Sequence, residues 1–256
     1  MYLLIALLNF IGLEFALQYQ YLIYFVSIAI TVLTIFFIYR YSRKITVSKI
    51  SIMISAALFL IAHYALLLFL EGSWLLHGFI FLSSFILFVF LYSIFERSTI
   101  AALNGDSLKG KEKSFAVENI IGYFNLLIFF FLSIDVFYLE LNTNQKFMWM
   151  LALIACGAFF LSYSSFTIFA IPLTFRTALY IAIFLLALIE LFWVINFLPI
   201  SVYSKAALTT FVYYAILGLT KHYLIFGKTE LTRRVVRRYL VITCCGVLLV
   251  FLTSRW

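Results

Sequence analysis

Charge is scarce in this chain: Asp, Glu, Lys and Arg together make up 11% of the residues. A soluble domain carries about 25%, and no polar stretch here is long enough to build one, so a soluble domain is excluded. Proline occurs only twice, at Pro172 and Pro199, against 31 phenylalanines, which favours long, mostly unbroken helices. Cysteine occurs three times, as Cys156, Cys244 and Cys245, always inside an apolar run. Those positions exclude a disulfide framework and offer no metal-ligand spacing. A charged segment is also missing at the start, Met1-Tyr2-Leu3-Leu4, so the first apolar run is read as a retained helix rather than a cleaved signal.

What is present is apolar surface. Apolar residues make up 66% of the 256 positions and the mean hydropathy is +1.15. Soluble proteins hold about 45–50% apolar residues, and a core of this length could not hide the excess. The composition predicts an integral membrane protein, almost all of it embedded. Its apolar runs are continuous over about 15–25 residues, unlike the alternating segments of about ten that a membrane β-barrel needs. We read nine: 1–17, 20–39, 50–71, 74–95, 118–139, 147–171, 178–197, 202–225 and 239–253. About 20 apolar residues cross a bilayer as a helix. The first and last runs are short, so the range is seven to nine spans. The expected fold is an all-α polytopic transmembrane bundle of about nine helices, residues 1–256 forming a single transmembrane domain. Both prolines fall at expected helix ends, where a missing N–H costs little.

The few cations are distributed unevenly. On a nine-helix path, fifteen of the 18 lysines and arginines fall on one side, in the connections 40–49, 96–117, 171–177 and 221–238. Only Lys146, Lys205 and Arg255 fall on the other. Lys and Arg accumulate in cytoplasmic loops, which predicts the N-terminus inside and the C-terminus outside. The net charge of +8 is thus a topology signal, and no nucleic-acid partner is expected. No internal repeat is evident.

Ionisable groups inside apolar spans are costly and usually face a bundle interior or an aqueous cavity. Glu190 stands out, within Ala187-Leu188-Ile189-Glu190-Leu191-Phe192-Trp193. Glu14, His63, His77, Asp135 and Lys205 complete the set. All six fall in the outer half of the expected bundle. Together they form a candidate intramembrane polar site, open to the outside if they converge. The short loop 198–201 makes helices 7 and 8 neighbours and suggests Lys205 as the partner of Glu190. The bland alternative for each is an interfacial group or a structural ion pair.

Other patterns carry less chemistry. Gly105 and Gly110-Lys111 have the spacing of a phosphate-binding loop. However, Glu112 stands where Ser or Thr would hold magnesium and no strand precedes the loop, so a solvated linker is expected. Arg233, Arg234, Arg237 and Arg238 share one helical turn, as an anionic-lipid contact or a plain topology anchor. Lys205, Thr209 and Tyr213 step by four along one helix. Ser27, Thr31 and Thr34 line another, and Ala158, Ser162 and Ser165 a third. Small and hydroxyl residues are the usual packing face between membrane helices. No nucleophilic or metal-binding motif is present, and Lys205 and Lys221 lie too near helix ends for a retinal-type site. No cofactor or metal is expected.

The segment Glu190-Leu191-Phe192-Trp193, then Phe197-Leu198-Pro199, and the tail Leu252-Thr253-Ser254-Arg255-Trp256 resemble uncharacterised polytopic membrane proteins of reduced-genome, candidate-phyla bacteria. The resemblance covers the last third of the chain. It implies a multi-pass protein of the bacterial cytoplasmic membrane and carries no catalytic residues over.

Three readings of function follow. The first is a non-catalytic subunit or scaffold of a membrane assembly, with membrane lipids, protein partners or further copies of itself around it. The second is a transporter or channel in which Glu190 and Asp135 take a proton or cation and His63 relays protons. The third is an enzyme acting on lipid-linked substrates, which needs a defined acid–base pair. The absence of motifs favours the first and leans against an enzyme.

Overall fold

The computed structural model describes residues 2–16, 20–41, 49–69, 73–103, 108–142, 147–168, 171, 174–226 and 233–254, with only the backbone described toward some helix ends. Among the described residues there are nine helices and no strand. They are α1 (Tyr2–Ala16), α2 (Gln20–Tyr41), α3 (Lys49–Phe69), α4 (Ser73–Leu103), α5 (Leu108–Asn142), α6 (Phe147–Ile168), α7 (Phe175–Asn196), α8 (Val202–Phe226) and α9 (Arg233–Thr253). Each apolar run of the sequence is one helix. Five stretches are long and apolar enough to cross a membrane: 120–141, 147–167, 175–196, 202–224 and 235–253. Four shorter apolar stretches lie in α1 to α4. These helices fit an integral membrane protein.

Three helices outrun their apolar cores. α4 continues to Leu103 and α5 begins at Leu108, so most of the connection 96–117 is helical rather than loop. Once a turn has nucleated, each further residue costs little. Ala101, Ala102, Leu103, Lys111, Glu112 and Lys113 are all good helix formers. The same extension starts α9 at Arg233, six residues before its apolar run. Hydropathy marks where the hydrocarbon ends, not where the helix does.

The contacts group into two compact units, residues 1–125 and 126–256. In the first, α1 packs on α2 and α4, and α2 packs on α3 and α4. Leu13, Leu67 and Ile80 form a buried cluster there, with Phe10, Val26, Tyr64 and Phe79 against it. The Phe124 ring stacks on Phe90 at 3.9 Å and meets Phe59 at 4.8 Å. Lipid tails are as apolar as leucine, so such packing and interhelical hydrogen bonds, rather than escape from water, hold the helices together.

In the second unit, α7 packs on α6 and α8, and α9 packs on α8. The α5 segment joins through rings: Phe137 stacks on Phe192 at 4.6 Å and Phe129 on Tyr213 at 4.0 Å. α7 buries Thr177, Ile181, Phe184, Leu188, Phe192 and Ile195, a stripe at helical spacing. Thr174 caps its start by accepting from the Thr177 N–H. After Asn196 the chain turns through Phe197–Ser201. Pro199 has no N–H to lose, and Ser201 caps α8 by accepting from the Ser204 N–H at 3.2 Å.

The α8–α9 seam is built by two reciprocal notches. The Tyr239 ring of α9 lies over Gly218 of α8, and the Phe211 ring of α8 lies over Gly246 of α9. A Cβ at Gly246 would fall 2.6 Å from the Phe211 ring. A side chain at either position would have to displace the facing ring, which occupies that space.

Candidate functional site

In the first unit, polar side chains of three helices meet. The Asn9 side-chain amide donates to Ser84 Oγ at 2.8 Å, and the Tyr64 hydroxyl donates to Asn9 Oδ1 at 3.1 Å. One asparagine therefore ties α1 to both α3 and α4. One residue along each of those helices, buried His63 lies 3.2 Å from Ser83 Oγ through Nε2. The single Ser83 hydroxyl proton goes to the Ile80 carbonyl at 3.0 Å. The His63 ring stacks on Phe59, and its Nδ1 has no hydrogen-bond partner among the described residues. Nearer the helix ends, Glu14 of α1 meets His77 of α4 at 2.5 Å, and His77 is exposed.

In the second unit, a polar cluster forms where α5 and α7 end and α8 begins. The Asn196 amide donates to Glu140 Oε1 at 2.6 Å, and Lys205 Nζ donates to the Asn196 carbonyl at 2.7 Å. Lys205 also lies over the Phe137 ring, 5.9 Å from its centre. A cation on the last carbonyl of a helix complements the negative end of its dipole. Tyr138 donates to Tyr203 beside this cluster, and Ser254, just past α9, donates to Ser204 of α8.

Within each unit, the ionisable residues singled out in the sequence take separate partners. Glu14 and His77 pair, His63 belongs to a separate clasp, and Lys205 joins Glu140 through Asn196. The sequence pairing of Lys205 with Glu190 is thus replaced. The reason is angular. Glu190 is two residues from both Leu188 and Phe192, which are wholly buried, and two residues turn a helix by about 200°. Its side chain therefore leaves the opposite face of α7 and is exposed. Asp135 is the reverse case: it is only 4% exposed, yet neither carboxyl oxygen has a hydrogen-bond partner among the described residues.

The remaining sequence features divide similarly. Arg237 and Arg238 are exposed at the start of α9, while the side chains of Arg233 and Arg234 lie outside the described residues. Residues 104–107 of the glycine-containing segment also lie outside them, and Lys109–Glu112 belong to the first turns of α5. Among the described residues, no three His, Cys, Asp or Glu side chains gather as a metal would need. Sequence reasoning missed Asn9, Tyr64, Ser83, Ser84, Glu140 and Asn196. Asn9 could have been found as an amide within an apolar run. Glu140 and Asn196 looked like ordinary helix-end residues.

Hydrogen-bonded in this way, the polar groups of the first unit and the Glu140–Asn196–Lys205 cluster act as interhelical ties. Among the described residues, Glu190 and Asp135 are the acids not used for such ties. No family model, no curated protein and no solved structure matches this chain.

Proposed function

We propose that this multi-pass protein is a non-catalytic subunit of a larger membrane assembly. The observation carrying the reading is the place of Glu190. It projects from the exposed face of α7, among exposed Ile183, Leu186, Trp193, Val194 and Phe197. A carboxyl group within the hydrocarbon is expensive unless something polar covers it, and none of the described residues bonds to it. The cation asymmetry of the loops supports an N-terminus in the cytoplasm and a C-terminus outside. The resemblance to proteins of reduced-genome bacteria supports the bacterial cytoplasmic membrane. Exposed Arg237 and Arg238 sit where anionic headgroups would meet them.

Native mass spectrometry after gentle extraction from the source membrane tests this reading. A stoichiometric complex is expected, and loss of the associated subunit in Glu190→Leu ties it to α7. A wild-type protein that leaves the membrane as a lone monomer overturns it.

Asp135 favours a second reading, transport of a proton or cation. A buried acid whose oxygens meet no donor among the described residues is a place to load one. Proteoliposomes carrying wild-type protein would then show a flux that Asp135→Asn abolishes while the fold survives.

A further inference from the structure

We infer that the occupant of the α7 face is a transmembrane helix of a different protein carrying a lysine or arginine at the depth of Glu190. This rests on the assembly reading and adds the chemistry of the partner.

Depth comes first. Glu190 lies six residues before Asn196, about 9 Å along the axis from the end of α7, and about 22 Å from Phe175. Side chains on a helix lean toward its N-terminus. The carboxyl group therefore leans away from the nearer end, and snorkelling to that interface is closed to it. Glu190 makes no hydrogen bond or ion pair among the described residues, so none of them supplies its complement.

The surrounding surface suits a cation. Trp193 is exposed one turn farther along the same face, set edge-to-face on Phe197 at 5.7 Å. Ala187, one turn before Glu190, leaves room for a long side chain. A carboxylate beside an indole ring holds an ammonium or guanidinium by charge and by the ring quadrupole together.

A second copy fits poorly. Copies in one membrane share depth and orientation, and a two-fold contact sets a patch against itself. An α7–α7 contact would place Glu190 against Glu190, two like charges in a low dielectric. Among the described residues, no cation is paired with Glu190. Lys205 is held on the Asn196 carbonyl and His77 on Glu14. Arg176 and Arg237 lie at the opposite ends of their spans from that depth, and Arg176 donates to Tyr223 at 2.7 Å.

The test uses the purified full chain, labelled with a donor dye, in phosphatidylcholine vesicles. The probes are acceptor-labelled polyleucine transmembrane peptides with lysine, leucine or glutamate six residues from one end. The lysine peptide is expected to give half-maximal energy transfer at a mole fraction at least ten-fold below the leucine peptide. The glutamate peptide should bind no better than leucine, and the lysine advantage should vanish in Glu190→Leu. Equal transfer from the lysine and leucine peptides to the wild type overturns the inference, and this comparison needs no variant to fold. Cross-linking of Glu190→Cys to itself between two copies in the source membrane also overturns it. Either failure leaves the assembly reading standing if native mass spectrometry finds a stoichiometric complex. A lone monomer in that measurement removes both.

Discussion

Asn196 donates its side-chain amide to Glu140 at 2.6 Å while its backbone carbonyl receives Lys205 at 2.7 Å. An acid at the end of α5 and a base at the start of α8 are thereby joined through the last residue of α7. Only one of the two bonds depends on the asparagine side chain. Asn196→Leu should keep Lys205 in place and lose about 1 kcal/mol, the usual size of an interhelical hydrogen bond in a membrane protein. Asn196→Asp should cost more, because it sets a second carboxylate against Glu140. Thermal unfolding in detergent would rank the two. A milder effect of the aspartate would contradict the geometry.

Asn9 bridges two helices where Ser84 meets only one of its bonds. Replacing Asn9 by leucine removes both bonds and should destabilise by about 1–2 kcal/mol. Ser84→Ala should cost about half of that, since Tyr64 still donates to Asn9. Reversible unfolding in mixed micelles gives the comparison, and equal losses would mean that the Tyr64 bond contributes nothing.

The α8–α9 seam should fail when its notches are filled. Gly246→Leu and Gly218→Leu each force a facing ring out of its seat, and overpacking of this kind costs about 1–3 kcal/mol. A disulfide reports it. Ser204 and Ser254 have their hydroxyl oxygens 2.9 Å apart, close enough for cysteines to bridge. With Cys156, Cys244 and Cys245 changed to alanine, Ser204→Cys/Ser254→Cys should oxidise readily. Adding Gly246→Leu should slow the bridge at least several-fold, and unchanged oxidation would show that the notch does not position α9.

A membrane-soluble carbodiimide should separate the two unused acids. Glu190 is exposed on an apolar face and should be modified in the purified protein. Asp135, 4% exposed, should react far more slowly. In the source membrane Glu190 should be protected if a partner helix covers it. Peptide mapping by mass spectrometry reads both sites, and preferential labelling of Asp135 would contradict the burial pattern.

The existence of every helix was legible in the sequence because hydropathy over about 20 residues is a strong signal. The helix extensions were not, since residues 96–117 change from apolar to polar without ceasing to favour helix. Among site residues, sequence reasoning found the individual ionisable groups but not their partners. The adjacency of their helices suggests Lys205 as the partner of Glu190. Which face of α7 each residue occupies relative to Leu188 and Phe192 decided otherwise. Asn9 and Asn196 carry no charge that marks them in the sequence, although each makes more than one interhelical bond.

The two ring-and-glycine notches sit seven residues apart on each helix, about 10 Å along the axis. Two separated points of attachment fix a direction, whereas one fixes only a position. While both rings are seated, the crossing angle of α9 on α8 is determined. With either notch filled, α9 would keep a single pivot, and its heading in the membrane would be set by whatever lipid or protein happened to lie beside it.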